Sequence, residues 1–152
     1  MAIAADSHGS PGWISEPPAT PKGGLNLSRV RAGIDAFEAA GARLDAAAGG
    51  ALGSGALAPA VAKEVNRGIR QVEQNWLDPD GIPGRPWFRH TLYAARYTYA
   101  HLELPGLTEA AEDRDWERAA GQAAILEQEL KRNTGLLDEL TQKLAAGGEP
   151  RR

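Results

Sequence analysis

With 152 residues, the chain has room for one domain and one core, not two. Its 20 acidic and 17 basic side chains leave a net charge of −3, and no basic stripe of the kind that grips nucleic acid is evident. Cysteine is absent, which excludes disulfides and thiolate metal sites, and no apolar run approaches the ~20 residues needed to cross a bilayer.

Residues 1–24 contain four prolines and four glycines without periodicity, the composition of a disordered or loosely packed tail. They carry neither a basic n-region nor a continuous apolar h-region, so they do not read as a signal peptide, and the compartment stays open. The first helix is expected from about Leu27 to Ala48. There Leu27, Val30, Ile34, Phe37, Gly41, Leu44 and Ala48 alternate steps of three and four, placing them on one stripe. Asn26 or Ser28 would cap its start, and Gly49-Gly50 would end it. Gly41 on that stripe predicts a close approach by another helix. A glycine-rich connector, 49–57, then leads to a second helix from Pro59, a good first-turn residue, to Trp76. Its apolar side is Val61, Val65, Ile69, Val72 and Trp76.

The stretch 78–106 cannot be helical, since Pro79, Pro83, Pro86 and Pro105 and Gly81, Gly84 and Gly106 interrupt any 3.6-residue period. Yet it holds Trp87, Phe88, Tyr93, Tyr97 and Tyr99, five of the nine aromatics. Solvated linkers are poor in aromatics, so an ordered, packed loop is expected, with Trp87 and Phe88 buried against the helices. Only Phe88–Tyr93 reads as locally extended. A turn of helix around Leu107–Glu112 precedes a last long helix, Asp115 to Ala146. Its stripe is Trp116, Ala119, Ala123, Leu126, Leu130, Asn133, Leu137, Leu140 and Leu144, stopped by Gly147-Gly148. Asn133, the one polar member, reads as a satisfied structural amide. The fold class is therefore all-α: an antiparallel helical bundle with a long ordered loop rich in proline, glycine and aromatic residues.

Chemistry-bearing motifs are scarce. His8, His90 and His101 lack metal-ligand spacing with a carboxylate, and there is no nucleophile elbow, P-loop or dinucleotide fingerprint. Asp78 and Asp80 sit in an Asp-Pro-Asp-Gly turn composition. Arg85, Arg89 and His90, whose donors satisfy carbonyls left unpaired by irregular backbone, read as structural loop residues alongside Trp87 and Phe88. Nothing here makes a complete catalytic set.

The run LDPDGIPGRPWFRHTLYA, followed by YAHLELPGLTEA, resembles the C-terminal helical domain of the glutamate carboxypeptidase and transferrin receptor family. The shared pattern falls on Ile82, Pro83, Gly84, Arg85, Pro86, Trp87, Phe88, Arg89, His90, Tyr93, Ala94, Pro105 and Gly106. LNLSRVRAGIDAFEAAGARL is similar to that domain's first helix, and NRGIRQVEQNWLDPDGIPGRP to its second helix running into the loop. The resemblance implies a dimerisation domain over residues 25–148, between tails at 1–24 and 149–152, that is not catalytic by itself. Homodimerisation is the implied role, with no nucleic acid and no membrane insertion. The alternative it implies is a C-terminal fragment of a zinc-dependent metallo-carboxypeptidase, lending the dimer interface and pocket residues to a separate peptidase domain. The zinc would belong to that other domain, leaving this chain without a cofactor. In the peptidases a Lys-Tyr pair before the Pro-Gly contacts the substrate's terminal glutamate; the nearest match is Thr98-Tyr99. Tyr99, with Tyr97 as its rival and Arg96 as a source of positive charge, is the implied substrate-pocket group. Thr98 supplies no cation, so glutamate specificity does not carry over.

Overall fold

The computed structural model describes residues 24–55, 57–95 and 101–147. The protein is mostly helical, with four helices and two short strands in these stretches. Helix α1 (Ser28–Gly53) is followed by α2 (Pro59–Gln74). Strands β1 (Tyr93–Ala95) and β2 (His101–Glu103) come next, then the short α3 (Pro105–Glu112) and the long α4 (Trp116–Gly147).

Helix α4 is the spine against which the others pack. Helix α2 runs antiparallel to it: Val61 lies against Gly147, Lys143 pairs with Glu64, Gly68 takes the Leu140 side chain, and Asn75 meets Asn133. Helix α1 runs parallel to it, with Gly33 under Leu130 and Arg43 bound to Asp138. Two apolar clusters follow from this arrangement. One joins Ala40, Leu44 and Ala51 of α1, Val65 of α2, and Leu137, Leu140 and Leu144 of α4. The other joins Val30, Trp76, Leu107 and Ala110 to Ala119, Ala123, Leu126 and Leu130.

Several sequence expectations change here. Helix α1 does not stop at Gly49-Gly50 but continues to Gly53, with Ala51 of its last turns buried in the cluster shared with α2 and α4. Gly41 makes no close approach, as nothing lies within 4 Å of where its Cβ would be. The close approaches fall at Gly33, where a Cβ would sit 3.1 Å from Leu130 Cδ1, and at Gly68 against Leu140. The inward stripe of α1 is therefore Val30, Gly33, Phe37, Ala40 and Leu44, rotated from the predicted one, and Ile34 is half exposed. Ile69 is likewise turned outward on α2.

In the central segment, β1 and β2 pair antiparallel with Tyr93 opposite Glu103 and Ala95 opposite His101, a hairpin that the sequence pattern did not disclose. Three residues per strand are too few for a period-two signal. Ala94 and Leu102 are its two buried members. Leu104 then takes a left-handed conformation (φ 45°), which turns the chain into α3 at Pro105; Pro105 and Gly106, expected to end the non-helical stretch, instead form the first turn of α3, where proline needs no donated hydrogen bond. Asp115 Oδ1 accepts the Arg118 amide at 3.0 Å, capping α4.

Candidate interaction surface

The residues singled out by sequence lie on an arm, 77–92, between α2 and β1. The arm is a narrow ladder closed on itself. The Asp78 amide donates to Arg89 O and the Ile82 amide to Phe88 O, both at 2.9 Å, while Leu77 bridges to His90. Its tip is a type II turn over Ile82-Pro83-Gly84-Arg85: the Arg85 amide donates to Ile82 O at 2.9 Å, with Gly84 at φ 81° in the position that demands glycine. Gly81 is also left-handed (φ 69°), and a Cβ there would run into the Pro86 carbonyl. Gly81, Pro83 and Gly84, which break a helix here, are thus what the turn and ladder require.

Four contacts fasten the arm to the bundle. Ile82 is buried over Gly106, whose missing side chain makes room for both Ile82 and Gln122. Arg85 pairs with Glu109 of α3 and lies 5.6 Å above the Phe88 ring. His90 Nε2 meets Glu73 of α2 at 3.1 Å, and its Nδ1 accepts the Leu92 and Tyr93 amides at 3.3 and 3.4 Å. That pattern uses both ring nitrogens in hydrogen bonding. Fourth, the Thr91 amide and hydroxyl both reach Trp76 O, at 2.9 and 3.0 Å. Arg89 donates from Nε to Asp78 O at 3.0 Å and stays exposed.

Trp87 contradicts the burial expected of it: it is 75% exposed, while Phe88 is partly buried. The ladder alternates sides, and once Phe88 turns toward Arg85 its neighbour must face water. The buried tryptophan of this region is Trp76, 5% exposed and edge-on to Phe37 at 5.8 Å between ring centres. Tyr93 is 54% exposed and tilted over His90 at 4.1 Å rather than packed into the bundle. Arg96, Tyr97 and Tyr99 lie outside the described residues. His101 and Glu103 are both solvent-exposed, 3.9 Å apart. Among the described residues no three histidine or carboxylate side chains are grouped to hold a metal.

A second feature was not read from sequence. Between α1 and α2, above Leu137 of α4, runs an open apolar groove of about 390 Å3 lined by Gly41, Leu44, Ala48, Ile69 and Val72, with Asp45 and Glu73 at its rim. Ile34, two turns before Gly41, continues the same side of α1 and is 50% exposed; Ile69 is 46% exposed. The signal was present as an apolar stripe on α1 too broad for one contact: half of it packs on α4, and the other half faces this groove.

A buried polar cluster lies along α4; the sequence identifies Asn133 in it as a satisfied structural amide, as observed, but not Glu129. Asn133 is fully buried; its Oδ1 accepts Asn75 Nδ2 at 2.8 Å, and its Nδ2 donates to Val72 O at 3.4 Å. One turn earlier, Glu129 is 2% exposed and its Oε2 is 2.7 Å from Thr91 Oγ1. Burial pushes the Glu129 carboxyl up to about 7; Asp78 adds to this, and the Thr91 hydroxyl and Arg132 oppose it. Its place three residues after Leu126 and four before Asn133, on the core spacing of α4, is the signal that would have found it.

Over residues 25–138 the chain matches the family described as the transferrin receptor-like dimerisation domain. The match takes in α1, α2, the arm, the hairpin, α3 and most of α4.

Proposed function

The chain belongs to the transferrin receptor-like dimerisation domain family, and from that premise we propose that it is a non-catalytic homodimerisation module whose contact face is the α1–α2 groove. The groove carries this reading. Helices α1 and α2 pack mainly on α4, and among the described residues the aliphatic side chains Ile34 and Ile69 are left about half exposed. An exposed apolar strip is the kind of surface that a symmetric copy covers, since a two-fold axis sets the same strip against itself. Sedimentation equilibrium is expected to show a dimer with a dissociation constant on the order of micromolar. Ile69→Glu, which places two charges per dimer in that strip, is expected to weaken association by about tenfold or more without unfolding the exposed position. A monomer up to ~100 µM would refute the reading, and a dimer indifferent to Ile34→Glu and Ile69→Glu would move the interface elsewhere.

The exposed Trp87, on an arm held rigid by its own ladder, favours a second reading: the domain also serves a zinc-peptidase domain that covers the arm. On this reading the domain resembles that of the glutamate carboxypeptidases, and Arg96, Tyr97 and Tyr99 are its candidate substrate-pocket groups. Trp87→Glu would then abolish association with such a domain while leaving the homodimer intact. On either reading the chain holds no zinc of its own. Elemental analysis of purified protein is expected to give far less than one zinc per chain, with no peptide hydrolysis; one tightly held zinc per chain would overturn this.

A further inference from the structure

The Thr91 hydroxyl has two acceptors within reach and a single proton to give. Its Oγ1 lies 3.0 Å from the Trp76 carbonyl at the end of α2 and 2.7 Å from Glu129 Oε2 on α4. It cannot donate to both. Both short distances are satisfied together only when Glu129 itself carries a proton. The carboxylic acid then donates to Thr91 Oγ1, Thr91 donates on to Trp76 O, and each bond polarises the next.

We propose that Thr91 and Glu129 form a proton-operated latch that fastens the arm to α2 and α4. When Glu129 loses its proton to solvent, the hydroxyl turns to the carboxylate, and its oxygen is left facing the Trp76 oxygen with no hydrogen between them. The arm keeps the Thr91 amide bond to that carbonyl but loses the hydroxyl one. The route for the proton is a cleft of about 250 Å3 beside Glu129, lined by Leu77, Asp78, Asp80, Gln128 and Arg132. Of the charged groups lining that cleft, Asp78 from the arm favours the protonated form and Arg132 from α4 the ionised one, while Asp80 lines its outer part. Burial is the main influence, and together with Asp78 it places the transition near neutrality. The latch concerns the arm alone and does not depend on where the chain dimerises.

The test uses the full chain. The Glu129 side-chain carboxyl is followed by 13C NMR across pH, and hydrogen exchange is read at the Thr91 amide and the ladder amides of Asp78 and Ile82. With exchange corrected for its intrinsic pH dependence, protection of these amides is expected to fall about tenfold between roughly pH 5.5 and pH 8.5, in step with the Glu129 titration. Glu129→Gln, whose amide can donate to Thr91 as the acid does, should hold the high-protection state at both pH values. Thr91→Val should leave Glu129 titrating while removing the pH dependence of the arm. A Glu129 that titrates like an ordinary glutamate would overturn the latch in the unmodified protein. So would arm protection that does not change with pH, or pH dependence that survives both substitutions.

Discussion

Trp76→Ala is expected to cost about 3–5 kcal/mol, whereas Trp87→Ala is expected to change stability by less than about 0.5 kcal/mol. The two tryptophans lie eleven positions apart, yet their surroundings differ throughout. Trp76 is 5% exposed, stands edge-on to Phe37, and belongs to the cluster joining α1, α3 and α4. Its removal opens a cavity where three helices meet and loosens the segment whose carbonyl receives Thr91. Trp87, at 75% exposed, gives up little contact on truncation. Urea denaturation of the two variants beside the parent chain would measure the difference. Against a total stability of about 5–15 kcal/mol, the Trp76 variant should lose a large share of its unfolding free energy. A costly Trp87→Ala would mean that something covers the arm tip even in the isolated chain. Repeating the measurement at concentrations where the chain is a monomer would show whether that cover is a second copy.

The second large effect concerns pH. Glu129 is held at about 7 in the folded protein against 4.5 for an ordinary glutamate, so the folded state binds its proton more tightly than the unfolded state does. Its contribution is therefore complete below about pH 4.5, shrinks as pH rises between 4.5 and 7, and is gone above about 7. A shift of that size corresponds to about 3 kcal/mol. Glu129→Gln has no proton to lose. Relative to the parent, it is expected to gain about 3 kcal/mol of stability on going from about pH 4.5 to pH 8. Taking the difference between the two proteins at each pH cancels every other titrating group they share. A difference that stays flat over this range would show that the buried carboxyl is already ionised in the acid range.

The arm shows how far composition carries. Pro83, Gly84, Gly81 and Pro86 announced an irregular, ordered segment, and the type II turn and ladder use those residues for their fixed or left-handed φ values. The direction of Trp87 was not in that information. Burial of an aromatic at a ladder position depends on which side of the ladder meets the bundle, and that side was set by Ile82 over Gly106 and Arg85 against Glu109. Hydrophobicity alone placed Trp87 inside along with Trp76, and only Trp76 is buried. Tyr93 shows the same limit, since its ring rests on His90 at the surface.

For the three long helices, periodicity alone determined their order and approximate extent, because a 3.6-residue repeat of apolar side chains is a local property of the chain. It also determined, with the quoted Arg-Pro-Trp-Phe-Arg-His run, the family to which the chain belongs. What only the tertiary structure decided was which part of each broad apolar stripe is core and which is surface. Gly33 and Gly68 admit Leu130 and Leu140 so closely that α1 and α2 settle with Ile34 and Ile69 turned away from α4, opening the groove between them. The meeting of Thr91 with Glu129, 38 residues apart in sequence, was likewise settled by packing. A hydrogen bond between distant segments has no local period to betray it, and it exists only because the arm folds back across α4.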